Sequence, residues 1–345
     1  MCYERLGRSG FDVSRLCLGT MMFGGRTDAR EAVEIVAHAK AAGVNFIDTA
    51  DQYNAGRSEE VVGRAIAKSR ADWILATKAG NPMGQGRNDR GLSRRWLTIA
   101  CDASLKRLGT DWIDLFYLHV EDHGTPIEET LYAVDGLMRA GKIRSFGVSN
   151  FRAWRIAEIC HLCDRMGIPR PVAGQPYYNA LNRAPEVEVL PACAHLGLGV
   201  VAYSPLARGV LTAKYRPGEA APEGSRAGAG DPRIMETEWR PESLTIAQTL
   251  DAHAAGRGFS AADFALAWLL ASRFVTSVLA GPRTLAQWTA YLRGLDYPFD
   301  DEDEALLESL VTSGHSSTPG FNDPRYPIEG RALRMQSDNS GKDTP

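Results

Sequence analysis

The sequence has no run of the ~18 apolar residues a helix needs to cross a bilayer, and no surplus of positive charge. Its 39 Lys and Arg stand against 42 Asp and Glu, a formal net charge of −3. The first lack argues against a chain threaded through a membrane as helices, and the second removes the basic field on which nucleic-acid binding depends. Neither a membrane nor a nucleic-acid partner is expected. Met1-Cys-Tyr-Glu-Arg has no apolar stretch or small-residue cleavage site of a secretory signal, so a cytoplasmic protein is expected. Cysteine is scarce, six in 345 residues, and scattered through apolar contexts as reduced thiols would be. Cys160-His-Leu-Cys163 has CxxC spacing inside a helical pattern, without a second ligand pair, so no metal site is read. Also missing is a GxGxxG after the first apolar strand, which counts against an open dinucleotide-binding sheet.

What is present is a recurring unit. With 44% hydrophobic and 23% charged residues the composition suits a large buried core, and the pattern of apolar strand, polar loop and amphipathic helix repeats along it. Tyr3 to Val13, turning around Gly7 and Gly10, reads as a β-hairpin. Leu16 to Gly19 then starts the first unit, with Asp28 as N-cap of its helix. Strands follow at 46–48, 73–77, 113–118, 143–148, 172–175, 199–202 and 275–279. That makes eight units, the number that closes a (β/α)8 barrel of ~250 residues with insertions. Residues 1–331 are therefore read as one α/β barrel. Two stretches break the rhythm. Leu206 to Arg240, after the seventh strand, is too long for an ordinary connection and is read as a lid or ligand-binding segment. Gly314 to Arg331, with Phe321 and Tyr326, is expected to pack over the barrel mouth, and 332–345 is read as a disordered tail.

The chain is organised around Phe46-Ile-Asp-Thr-Ala-Asp-Gln-Tyr53, where an apolar strand ends in Asp48 and a phenol follows at Tyr53. Strand exits of parallel α/β folds are where chemistry is placed. A phenol with a pKa near ~10 needs a cation beside it to act near neutrality. The third strand ends in Lys78 and the fourth in His119. A lysine at the end of an apolar strand needs a partner, and Asp48 is available. Lys78 held beside Tyr53 would lower the phenol's pKa, while His119 could donate to a carbonyl. Taken singly, each residue also reads as a cap, a snorkelling lysine, a satisfied histidine or packing.

Together, FIDTADQYNAGRSEEVVGRAI, ILATKAG and IDLFYLH resemble the aldo-keto reductase family, with Asp48, Tyr53, Lys78 and His119 matching its catalytic tetrad. SLKRLGTDWIDLFYLH (104–119), GKIRSFGVSNF (141–151), GQPYYN (174–179) and AYSPLARGVLTAKY (202–215) extend the match from Tyr3 to about Leu295. The resemblance implies NADP(H) as cofactor. Its carboxamide would be held by Ser149, Asn150 and Gln175, and its ring by Tyr203. The pyrophosphate would lie along Ser204, Pro205, Leu206, Arg208 and Gly209, near Lys214. Gly281, Arg283 and Gln287 would hold the adenosine end, with Gly19, Thr20 and Asp48 also on the cofactor site. An arginine can grip a 2′-phosphate through two donors, so Arg283 favours NADP over NAD. Two departures stand out. Ala290-Tyr291 replaces the Glu-Asn of many relatives, which makes Tyr291 a candidate to stack on the adenine, and Val120-Glu-Asp-His123 differs from the commoner pattern.

The expected function is NADPH-dependent, reversible reduction of a small-molecule aldehyde or ketone, with Tyr53 as general acid. The alternative is a cofactor-binding regulatory subunit of the potassium-channel beta type with little turnover, because a fold does not dictate its use. Met21, Met22 and Phe23, with Tyr53 and His119, are the expected substrate contacts; Phe321 and Tyr326 are further candidates for the pocket wall, as is Trp112 only if its strand end turns inward. A Met-lined wall suits a hydrophobic or alicyclic carbonyl, although Met21 and Met22 also fit a core. Oligomeric state is left open by the pattern.

Overall fold

The computed structural model describes residues 1–326; residues 327–345, including the 332–345 tail read from the sequence, lie outside the described part. An antiparallel hairpin, β1 (Tyr3–Arg5) with β2 (Asp12–Ser14), precedes the barrel. Eight parallel strands then close on themselves: β3 (Leu16–Gly19), β4 (Phe46–Asp48), β5 (Ile74–Ala79), β6 (Ile113–Leu118), β7 (Ile143–Ser149), β8 (Ala173–Gln175), β9 (Gly199–Tyr203) and β10 (Val275–Ala280). The intervening helices are α1 (Ala29–Ala41), α2 (Arg57–Ile66), α3 (Arg94–Leu108), α4 (Ile127–Arg139), α5 (Ala153–Met166) and α6 (Val189–Leu196). A short α7 (Pro232–Thr237) sits in the long connection after β9, followed by α8 (Pro241–Ala255) and α9 (Ala261–Ala271); α10 (Leu285–Arg293) and α11 (Asp301–Leu310) complete the described helices. Among the described residues no helix is long and apolar enough to cross a membrane.

Several of the helices start where polar side chains satisfy free N–H groups. Asp28 accepts from the amides of Arg30 and Glu31, Ser93 from Trp96, and Ser260 forms a capping box with Asp263. Along each strand, the twofold alternation of side chains divides the core into two parts. Leu16, Leu18, Ile47, Leu75, Phe116 and Leu118 face the helices. Cys17, Phe46, Ala76, Leu115, Tyr117, Ala173 and Val201 face the barrel interior, where Leu6 and Val13 of the hairpin plug the floor. Gly7 makes that plug possible. Its φ is +54°, and a Cβ there would lie 2.4 Å from the Val172 carbonyl oxygen.

The same alternation sets the site. Asp48 follows Phe46 by two residues and Lys78 follows Ala76 by two, so both continue interior-facing rows at the top of the barrel; His119 follows Tyr117 in the same way. Trp112 precedes β6 and therefore lies at the opposite end, where the Arg70 guanidinium stacks 4.4 Å from its ring. It has no place in a pocket at the mouth. The segment after α11 runs back over the mouth. It is anchored by Arg183 N to His315 O at 2.8 Å, by Ser317 N to Leu181 O at 2.9 Å, and by Arg240 Nε to Thr318 Oγ1 at 2.7 Å. Phe321 stacks under the Arg240 guanidinium, 3.7 Å away, instead of entering the cavity.

Candidate active site

The cavity at the strands' C-terminal ends, about 390 Å³ in volume, is lined by Gly19, Thr20, Met21, Met22, Asp48, Tyr53, His119, Ser149, Asn150, Gln175 and Tyr203. From the loop after β9 come Ser204, Pro205, Leu206, Arg208, Gly209 and Lys214; from the segment after β10 come Gly281, Arg283, Gln287, Ala290 and Tyr291. Of the substrate contacts expected there, Phe23 is the exception. It is fully buried in the core between strands and helices, because its carbonyl is held by Asn54 Nδ2 at 2.8 Å and the chain turns its ring inward. Gln52, Arg226, Arg233 and Arg325 also line the cavity and escaped the sequence reading. Three of them lie in the stretches already marked as lid and tail, but nothing local distinguishes them from other arginines there.

At the floor, the Lys78 ammonium bonds the Asp48 carboxylate, both fully buried, and also reaches Thr49 O at 2.8 Å and Tyr53 Oη at 3.3 Å. Gln175 Nε2 donates to the other Asp48 oxygen at 3.0 Å. Burial works against the ammonium, but Asp48 and Tyr53 outweigh it, and its pKa is raised. Tyr53 stands on a short turn, Tyr53–Gly56, in which Asn54 and Ala55 take left-handed φ values of 51° and 56°. Asn54 secures that turn through Met21 O at 2.9 Å as well as Phe23 O. Lys78 acts on the Tyr53 pKa in the expected, lowering direction, but desolvation by burial is the larger effect and the net direction is up. Tyr53 is held as a protonated donor.

His119 is edge-on to Tyr53, with centroids 6.0 Å apart. Burial and then the Lys78 charge push its pKa well below the usual histidine value, so the imidazole is neutral and can donate through one nitrogen only. Nδ1 is buried without a hydrogen-bond partner among the described residues. Beside this group, Ser149 Oγ donates to Gln175 O at 3.1 Å, Asn150 Nδ2 donates to Ser149 Oγ at 3.1 Å, and Tyr203 Oη donates to Asn150 Oδ1 at 2.7 Å. These bonds fix the polar side chains at the ends of β7, β8 and β9.

The loop after β9 carries an unusual backbone. Ser204, Ala207, Arg208 and Ala213 all have positive φ, and so has Gly209 at 99°. Left-handed non-glycine residues clustered in this way mark ligand clamps. Cations surround it. Arg208 Nε donates to Thr237 Oγ1 at 3.0 Å, and burial, reinforced by Arg233 and Arg226, lowers its pKa to about 10. Arg208, Lys214 and Arg283 have no carboxylate partner among the described residues, whereas Arg226 pairs with Asp231 at 2.8 Å. Three unneutralised cations around a strained loop, in a chain of net charge −3, fit a ligand that carries phosphates. Away from the cavity, the thiols of Cys160 and Cys163 are pushed up to about 11 and about 12 by burial. No cluster of three or more His, Cys, Asp or Glu among the described residues could hold a metal ion.

Residues 15–312 match the model of the Aldo/keto reductase family. The chain is 36% identical to the uncharacterized oxidoreductase YrpG of Bacillus subtilis (strain 168), over 92% of this chain and 98% of that protein. It is also 36% identical to the probable voltage-gated potassium channel subunit beta of Oryza sativa subsp. japonica, over 86% and 92%. To the L-glyceraldehyde 3-phosphate reductase of Escherichia coli O157:H7 it is 34% identical, over 91% and 93%.

Proposed function

Because the chain belongs to the aldo/keto reductase family, an oxidoreductase family whose members use nicotinamide cofactors, we propose that it reduces an aldehyde or ketone to the alcohol with NADPH. The observation that carries this reading is the Tyr53 hydroxyl 3.3 Å from a Lys78 ammonium that is itself tied to Asp48. Ser149, Asn150, Gln175 and Tyr203 are the residues proposed to hold the nicotinamide, and Ser204 to Gly209 with Lys214 its pyrophosphate. Arg283 and Gln287 are proposed for the 2′-phosphate end, and Tyr291 for the adenine. When bound, the cofactor supplies a hydride to the carbonyl carbon.

The protein's part is to orient the carbonyl and to deliver the proton. His119, neutral because burial and Lys78 disfavour its charge, donates a hydrogen bond to the carbonyl oxygen and aims it at Tyr53. Tyr53 gives its proton to that oxygen as negative charge develops there. Lys78 then stabilises the phenolate through the contact that already exists, and Asp48 holds Lys78 in place. In the alcohol direction the same phenolate accepts the proton.

Removing a general acid costs about 10²- to 10⁴-fold in rate. Tyr53→Phe is therefore expected to lose NADPH oxidation with a panel of aldehydes and ketones by that factor, with NADPH still binding by fluorescence. Undiminished turnover in the variant would sink the assignment. The similarity to channel beta subunits supports a second reading, in which the protein holds its cofactor and turns over little. Burst kinetics separate the two: many turnovers per site speak for the reductase, and a single turnover followed by very slow cofactor exchange for the subunit.

A further inference from the structure

Three consecutive residues after Tyr53 take left-handed backbone, Asn54 at φ 51°, Ala55 at 56° and Gly56 at 88°. Such geometry is unfavourable for a residue with a Cβ, least so for asparagine, and it persists only where the surroundings impose it. Both ends of the turn are imposed by buried groups. Thr49, ahead of it, and Ser58, on the first turn of α2, are fully buried. Ser58 Oγ donates to Thr20 O at 2.8 Å and lies 2.9 Å from Thr49 Oγ1, while Thr49 O accepts from Lys78 Nζ at 2.8 Å.

The middle of the turn is held differently. Asn54 commits both amide protons to backbone carbonyls of the loop after β3, Met21 O at 2.9 Å and Phe23 O at 2.8 Å. Its Oδ1 packs so closely on Gly25 that a Cβ there would lie 2.4 Å away. The loop that receives the amide is itself rigid. Phe23 N donates to Thr20 O at 2.9 Å, Gly24 N to Thr27 O at 3.0 Å and Thr27 N to Met22 O at 3.0 Å. Phe23 is fully buried, and Thr27 Oγ1 donates to Arg283 O at 2.8 Å. Asn54 therefore hooks the Tyr53 turn to a frame that reaches from the core to the segment after β10. The cavity wall includes Gln52 and Tyr53 but not Asn54, so the amide acts on the reaction only through what it holds.

We propose that Asn54 is a positioning residue for proton transfer, whose amide fixes the Tyr53 hydroxyl against the Lys78 ammonium at the 3.3 Å separation observed. Its part in proton transfer rests on the reductase reading above. With the hook released, the turn relaxes toward ordinary backbone and the phenol moves off the cation. Proton delivery then slows, because a misplacement of about 1 Å costs about 10²-fold. The phenol's ionisation changes as well. Facing it are Asp48 from β4, Lys78 from β5, His119 from the end of β6, Asp51 from its own loop, and Tyr326 of the tail, which also lines the cavity. Lys78 is the cation among them, since His119 is neutral, so retreat from Lys78 moves the Tyr53 pKa further up.

The test uses two variants. Asn54→Gly accepts a left-handed backbone without strain and donates nothing, whereas Asn54→Asp is close to asparagine in shape but turns a carboxylate toward two carbonyl oxygens. In both, kcat with NADPH and the best aldehyde or ketone of the panel is expected to fall about 10- to 100-fold, further in Asn54→Asp, with the NADPH Kd unchanged. In the alcohol direction with NADP⁺, where the phenolate accepts the proton, the rising limb of kcat against pH is expected to move to higher pH. A second readout needs no turnover: ultraviolet difference titration of Tyr53, each protein against its own Tyr53→Phe form. Asn54→Gly adds no charge, so an upward move there reports the lost contact with Lys78. Native kcat and an unmoved Tyr53 titration in both variants would overturn the proposal and leave the reductase reading standing. A fall in kcat matched by an equal loss of NADPH binding, the mark of a site disrupted as a whole, would overturn it too. An upward Tyr53 titration in Asn54→Gly, in a protein that reduces no carbonyl, would support the hook and overturn the reductase reading.

Discussion

A lysine ammonium sealed inside a barrel is tolerable only with an anion at its side, and Lys78 and Asp48 are each fully buried. Removing one partner strands the other charge, which costs about 3–5 kcal/mol. Lys78→Met is therefore expected to lower the urea midpoint strongly, and Asp48→Asn combined with Lys78→Met to recover part of the loss although neither restores turnover. An unchanged midpoint in the single variant would mean that the pair is not the buried contact described. His119 gives a pH dependence of definite sign. Its folded pKa lies well below the usual value near ~6.5, so between the two values the unfolded chain binds the extra proton. The contribution is complete above pH ~6.5 and is lost as the pH falls below it, by up to about 1.4 kcal/mol per pH unit. The urea midpoint should fall from pH 6.5 to 5.5, and His119→Asn should fall less. At this scale the identities and order of Asp48, Tyr53, Lys78 and His119 are written in the sequence, and the structure brings the four together. The direction of the Tyr53 shift is not, because a neighbouring cation can be guessed from spacing, whereas the desolvation that outweighs it arises only once the barrel closes. Phe23 was misplaced for a related reason: adjacency to Met21 and Met22 says nothing about which way a turn points.

Between β9 and α8 the chain departs furthest from a standard connection, and there the backbone itself is the unusual feature. Ser204, Ala207, Arg208 and Ala213 hold left-handed conformations that each cost about 1–2 kcal/mol for a residue with a Cβ. Surrounding contacts must impose them, such as Asn179 Nδ2 to Ser204 O at 3.0 Å and Gln248 Nε2 to Ala213 O at 2.7 Å. Gly209, with φ +99°, has no such penalty, but a Cβ there would lie 3.1 Å from Lys214 Nζ. Gly209→Ala would thus strain the turn and displace a cation facing the proposed pyrophosphate. NADPH affinity, read by fluorescence titration, is expected to fall about tenfold, or ~1.4 kcal/mol, and an unaltered Kd would place the phosphates elsewhere. The sequence showed this element as an insertion too long for its place and rich in Gly, Pro and charge. Neither α7 nor the run of positive φ was visible, since non-glycine left-handed residues carry no compositional mark. The strands of the regular units were legible to within two residues at their ends, because apolar runs bounded by polar turns are local signals.

At the scale of the molecule, closure of the barrel puts β10 between β9 and β3, so the loop after β9 and the segment after β10 become walls of one cavity. The eight-unit count could be read from repetition alone. The tail's seat on the lid could not, since it depends on Arg233 meeting Asp323 ninety residues later. A dinucleotide lying from Ser149 and Gln175 past Lys214 to Arg283 would touch units far apart in the chain, and each such contact exists only when the barrel is folded. Its binding must then stabilise the whole fold, by about 2.7 kcal/mol at a concentration 100 times Kd. On the proposed reading, the split between NADPH and NADH is decided at Arg283. The backbone there is fixed by Gln287 Oε1 accepting from Arg283 N at 2.8 Å and by Thr27 Oγ1 donating to Arg283 O at 2.8 Å, while the guanidinium makes only a long contact of 3.4 Å to Gly224 O. A fixed backbone with a guanidinium so lightly engaged is compatible with the 2′-phosphate contact proposed for it. At equal concentrations NADPH is expected to raise the thermal midpoint more than NADH, and in Arg283→Gln the NADPH shift should shrink to that of NADH. Equal shifts in the native protein would remove Arg283 as the selector of the phosphate, with the carbonyl chemistry at Tyr53 left to its own test.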